Sequence, residues 1–196
     1  MIAFPSGVYY NHNMKKVALL GDSIRLIGYG TKVPDLLGKD YEVFQPELNC
    51  RFVKNTLRML YDYKNELADC DIIHWNNGLW DCAHLFDDGL PFSSDDEYVE
   101  NMLRVATLLK GITKNVIFAT TTPVREEAPN NKNVDIDRYN AILVPKLREM
   151  GIVINDLNIL LKQDVEKYIR SDDMIHLTDA GIDCAAKQVA EYIRKF

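Results

Sequence analysis

Short apolar runs alternate with stretches whose apolar positions recur at helical spacing. Val17–Leu20 is four apolar residues closed by Gly21, the pattern of a short buried strand. A helix-like stretch follows to about Leu37, and Tyr41–Phe44 reads as a second strand. Val53, Leu57, Leu60 and Leu67 then mark a helix over 53–67, and Asp71–Trp75 a third strand. Val99, Met102, Leu103, Ala106 and Leu109 repeat the helical period and stop before Gly111, a natural residue just past a helix end. Val116–Thr120 is a fourth strand closed by Pro123, Ile136–Met150 a helix ended by Gly151, and Ile152–Ile154 a fifth strand. Thr178 stands where it would cap a last helix, Ala180 to about Arg194, with Ile182, Ala185, Val189 and Ile193 on one face.

Such alternation predicts a parallel sheet with helices on both faces. Right-handed crossovers leave few topologies for about five strands. The expected architecture is a single flavodoxin-like three-layer α/β/α domain, strand order 2-1-3-4-5, over residues 14–196. Residues 1–13 are a preamble of mixed polarity. Two connections, about 82–96 and 123–134, are long and follow strands. They therefore belong at the carboxyl edge of the sheet, where such folds bind ligands.

Composition narrows the partners. The 196 residues are 47% hydrophobic and 27% charged, with a formal net charge of -6. An acidic balance argues against nucleic acid and against an anionic membrane surface. No apolar run approaches the roughly 18 residues that span a bilayer. Lys15 and Lys16 precede a run that meets Asp22 too soon for a signal peptide. Cys50, Cys70, Cys82 and Cys184 form no Cys-x-x-Cys pair, as expected of reduced thiols in the cytoplasm, with Cys184 in the core.

The chemistry gathers at strand ends. Gly-Asp-Ser follows the first strand, and the plain reading of Ser23 is a helix N-cap with Asp22 shaping the turn. Serine as a nucleophile needs a base and a group to orient that base. Of the four histidines, His12 lies in the preamble, His74 inside the third strand as a hydrogen-bonded structural residue, and His84 some way beyond it. His176 sits in a polar loop before Thr178, three residues after Asp173. That spacing lets a carboxylate reach Nδ1 and leaves Nε2 facing outward.

Taken together, "LLGDSI" (Leu19–Ile24) and "DMIHLTDAG" (Asp173–Gly181) resemble the SGNH hydrolases, the GDSL-like esterases and lipases. The resemblance extends over nearly the whole chain after the preamble. It implies Ser23 as nucleophile and Asp173 and His176 as its partners. The resemblance implies hydrolysis of small-molecule or carbohydrate esters with small acyl groups, of lipids or of thioesters, with no cofactor; short acetyl-type acyl groups are expected because the sequence shows no long apolar lid.

The middle motifs depart from the family pattern. An oxyanion-binding glycine is expected after the second strand, where "PELNCRF" offers the Cys50 N–H. An asparagine is expected after the third, where "HWNNGLWD" puts Trp80 in its place and leaves Asn76 or Asn77 as donor. Asn-Asn-Gly is equally a turn signal. The Ser23 N–H at a helix start is the remaining expected donor. Asp22, Trp80 and Arg125 are expected to line the substrate cleft. His74, Asp81 and His84 are too loosely spaced to imply a metal. The competing reading of the altered middle is a non-catalytic glycan or small-molecule binding module on the same fold. A phosphate or nucleotide binder is disfavoured, because "GDSIRLIGYG" is neither a P-loop nor a Gly-x-Gly-x-x-Gly fingerprint.

Overall fold

The computed structural model describes residues 14–196; the preamble expected over 1–13 lies outside them. Five strands form one parallel sheet: β1 (Lys15–Leu20), β2 (Tyr41–Phe44), β3 (Ile72–Asn76), β4 (Asn115–Ala119) and β5 (Val153–Asn155). Their order is β2-β1-β3-β4-β5, as the alternation predicts, and every pairing is parallel. The central β3 is buried along its whole length, so its two polar residues, His74 and Asn76, are answered by buried hydrogen-bond partners.

Helices cover both faces: α1 (Val33–Leu37), α2 (Val53–Asp62), α3 (Lys64–Leu67), α4 (Asp95–Ile112), α5 (Asn133–Glu149), α6 (Leu157–Lys162), α7 (Val165–Tyr168) and α8 (Asp179–Ile193). Trp75, Phe118, Tyr98 and Tyr139 fill the core between sheet and helices. No helix among the described residues is long and apolar enough to cross a membrane.

Differences from the expected elements have local causes. The helix expected after β1 is broken into a five-residue π-type turn, Ile24–Gly28, a 3-10 turn, Tyr29–Thr31, and the short α1. Gly28, Gly30 and Pro34 interrupt it. The helix expected over 53–67 breaks at Tyr63. Helix α4 starts earlier than its apolar period, at a capping box in which Ser94 and Glu97 satisfy each other's backbone N–H groups. Thr178 caps α8 as expected, accepting from the Gly181 N–H. Cys184, expected in the core, is half-buried; the other three thiols are buried, and all four are free.

Both long connections leave the carboxyl edge of the sheet and meet there. His84 N–H donates to the Asn130 carbonyl at 2.8 Å, and Asn131 Nδ2 to the Leu79 carbonyl at 2.7 Å. His84 also pairs with Asp135 at the start of α5, at 3.2 Å, so it braces the two loops.

Candidate active site

Ser23 lies three residues past the end of β1, at the carboxyl edge of the sheet. Its side chain makes no capping hydrogen bond, contrary to the plain N-cap reading. That work falls to Asp22, whose Oδ1 accepts from the Ile24 N–H at 2.9 Å. The Ser23 hydroxyl is thereby left for other partners.

Asp173 and His176 meet as their spacing implies. Asp173 Oδ2 lies 3.0 Å from His176 Nδ1. Oδ1 of the same carboxylate accepts from the backbone N–H groups of Ile175 and His176, at 3.0 and 2.9 Å. Partial burial pushes the Asp173 pKa up, but the two backbone donors and the imidazole outweigh it, so the group is held below its ordinary value. It is an anion locked in orientation, with Arg170 3.4 Å away. The loop is held from outside by Arg125, which donates its backbone N–H to the Met174 carbonyl and its Nε to the Ile169 carbonyl, and pairs with Glu166.

Ser23 and His176 line the same two cavities, each about 450 Å³. No hydrogen bond joins them directly among the described residues. Catalytic hydrogen bonds often close only around substrate.

Several expected cleft groups are engaged elsewhere. The Cys50 N–H donates to the Gly21 carbonyl at 3.0 Å and is not free for an oxyanion. Asn77 is fully buried; its amide accepts from Thr56 Oγ1 and donates to the Arg51 carbonyl. Asn76 accepts from Tyr29 OH and donates to Asp22 Oδ1, each at 2.8 Å. Asp22 is itself fully buried, so it supports the cleft from behind and does not line it. Burial raises its pKa against the hydrogen bonds from Asn76 and the Ile24 N–H. Arg125 anchors the histidine loop and lines neither cavity. Trp80 does line one, with Asn49. The π-type turn is too short to supply the helix dipole expected at Ser23, though the Ser23 N–H begins that turn without an intrahelical partner.

Asn49 is the cleft residue that sequence reasoning missed. Its Oδ1 accepts from the Arg51 N–H at 2.7 Å, which fixes the amide orientation. Nδ2 has no partner among the described residues. Arg51 takes a left-handed backbone, φ 49°, to close this Asx turn. Arg25, fully buried, holds the preceding segment by donating to the Pro46 and Leu48 carbonyls at 2.7 and 2.9 Å.

Behind the site runs a one-directional chain of polar groups that starts at half-buried Gln188 and is buried from Asn155 onward. Gln188 Nε2 donates to Asn155 Oδ1 at 2.8 Å, and Asn155 Nδ2 faces His74 Nε2 at 3.1 Å. His74 Nδ1 faces Tyr29 OH at 3.5 Å; Tyr29 donates to Asn76, and Asn76 to Asp22. A carboxylate can only accept, so it terminates the sequence and sets its polarity. Read back, that polarity makes His74 a neutral Nδ1–H tautomer, in line with burial driving its pKa down to about 3. Gly21 leaves room for this arrangement: a Cβ there would lie 2.0 Å from Asn76 Oδ1.

Asp81 secures the other wall. Its carboxylate accepts from the Val53 N–H at the start of α2 and from Ser93 Oγ at 2.9 Å. Burial pushes its pKa from 3.8 up to about 7. The folded chain therefore binds this proton more tightly than the unfolded chain. The stability so conferred is complete below about pH 4 and is lost as pH rises through 7. Urea denaturation at pH 5 and pH 8 is expected to show the wild type losing about 3 kcal/mol relative to Asp81→Asn over that interval. Parallel pH dependence of the two proteins would contradict this.

No protein-family model matches the chain, and no curated protein matches it in sequence. Solved structures do match in fold. A lipase/acylhydrolase from Enterococcus faecalis superposes with a TM-score of 0.77 at 16% identity, covering 93% of this chain and 96% of that one. An acetylxylan esterase from Geobacillus stearothermophilus gives 0.72 at 18% identity, covering 91% and 94%. Further structures of that esterase are of catalytic mutants, at a serine, at an aspartate and at a histidine three positions after the aspartate. A Slackia heliotrinireducens protein assigned provisionally to the SGNH hydrolases gives 0.71 at 17% identity, covering 92% and 100%. At these identities the likeness establishes architecture: the chain has the α/β fold of the SGNH hydrolases.

Proposed function

We propose that the protein is a serine ester hydrolase. His176 Nε2 takes the proton of Ser23 Oγ as the oxygen attacks an ester carbonyl, and Asp173 stabilises the imidazolium that forms. The tetrahedral intermediate collapses, the imidazolium gives its proton to the departing alcohol, and an acyl-serine remains. Water, deprotonated by the same imidazole, releases the acid and regenerates Ser23. The Ser23 N–H and Asn49 Nδ2 are the donors best placed for the oxyanion, in the roles expected of Cys50, Asn76 and Asn77.

The observation that carries this reading is the oriented Asp173–His176 pair opening onto the cavities that hold an uncommitted Ser23 hydroxyl. The like-spaced catalytic aspartate and histidine of the Geobacillus esterase add support. Acetyl-type esters, including those of carbohydrates, are the minimal substrates. Incubation with a fluorophosphonate probe and an aryl acetate tests the assignment: covalent labelling and acetate release are expected. The binding-module reading, favoured by the engagement of Asn76 and Asn77, predicts neither.

Asn49→Ala tests the second donor. A lost oxyanion donor is worth about 10²–10³-fold in kcat. The variant is expected to lose about that factor in kcat on an aryl acetate with KM little changed. A change confined to KM would place Asn49 in ground-state binding instead.

A further inference from the structure

Ser23, Ile27 and His176 border two cavities of unlike character. On one side the wall includes Arg170, Thr178 and Asp179. On the other it is built mostly from Leu26, Leu79, Trp80, Ala83, Leu85 and Ile175, with the amides of Asn49, Asn130 and Asn131 among them, and no Asp, Glu, Lys or Arg among the described residues lines it. Two of its wall residues, Trp80 and Leu85, are more than a third open to water, at 37% and 39%. Apolar side chains that line a cavity and stay open to water are available for an apolar ligand to cover.

We infer that the apolar cavity is the acyl site and that the preferred substrate joins an acyl chain well beyond acetyl to a polar, hydroxyl-bearing alcohol. This rests on the ester-hydrolase reading above and extends it. An acyl-serine must carry its chain away from Ser23 Oγ while the oxyanion meets its donors. Asn49 lines the apolar cavity, so oxyanion and chain lie on one side. The alcohol departs toward the opposite side, where Arg170, Thr178 and Asp179 can hydrogen-bond hydroxyl groups. Acetyl would leave most of the apolar wall wet. Each methylene buried there raises kcat/KM about fourfold until the cavity is filled.

The test is a series of p-nitrophenyl esters from acetate through butanoate to octanoate, below their aggregation concentrations, with a parallel series of acetates of lengthening alcohols. The expected result is kcat/KM rising along the acyl series and staying flat along the alcohol series. Leu85→Asp puts a charge on the half-exposed rim of the cavity, and is expected to lower the octanoate-to-acetate ratio at least about tenfold, because the carboxylate cannot be desolvated cheaply. A circular-dichroism melt verifies that it is folded. A flat or falling acyl series in an enzyme that labels with fluorophosphonate overturns the acyl-site assignment, as does a rise along the alcohol series. Absence of labelling and of all turnover overturns the hydrolase reading itself.

Discussion

Ser23→Ala is expected to lower ester turnover by about 10⁶-fold while leaving the fold and its melting temperature nearly unchanged. The side chain is half-buried and carries no capping bond, so its removal orphans no partner. Surface-near substitutions of that kind stay within about 0.5 kcal/mol. Activity, by contrast, loses the only atom that can become acylated in this mechanism. Fluorophosphonate labelling of wild type and variant, with aryl-acetate kinetics, reads both quantities. Equal labelling of the variant would move the nucleophile to another residue. The Cys50 thiol is a poor alternative: burial raises its pKa above the ordinary value, which disfavours the reactive thiolate.

The second large effect is expected at Asp173. Asp173→Asn should cost about 10⁴-fold in kcat with little change in KM. The geometry gives the reason. One carboxylate oxygen already serves two backbone N–H groups, and the other faces His176 Nδ1. An asparagine has a single acceptor oxygen. If that oxygen stays with the backbone donors, the amide NH₂ faces Nδ1 and donates to it. The imidazole then carries its proton on Nε2, where it cannot accept the proton of Ser23. The loop itself keeps its hydrogen bonds, so the loss appears in rate and not in stability. A variant with near-wild-type kcat would show that Asp173 braces the loop and has no part in setting the tautomer.

The sheet and the Asp173–His176 pair were legible in the sequence because both rest on short-range pattern. Buried strands β1 and β4 announce themselves as four-residue apolar runs, Val17–Leu20 and Val116–Ala119, β3 by its Ile72-Ile73 start, and three residues of spacing suffice to bring a carboxylate to an imidazole. The oxyanion donors were not legible. Whether an asparagine side chain is free depends on partners far along the chain: Asn76 is engaged by Tyr29 and Asp22, and Asn77 by Thr56 and Arg51. No local rule separates those two from Asn49, whose only trace is an Asx turn closed by a left-handed arginine. Likewise Asp22 and Arg125 sit at the right ends of the right strands, yet their side chains turn to structural tasks.

The six-membered run from Gln188 to Asp22 has a consequence for how this site can change over generations. Each of the four inner members receives from one neighbour and gives to the next, so none of those four can be exchanged singly without leaving a dry, unanswered polar atom. Replacement must come as a matched set, or as a wholesale conversion to hydrocarbon. A position on the last helix is thus tied, through the middle of the sheet, to the residue beside Ser23, and descendants of this chain should inherit or abandon the six identities as a block.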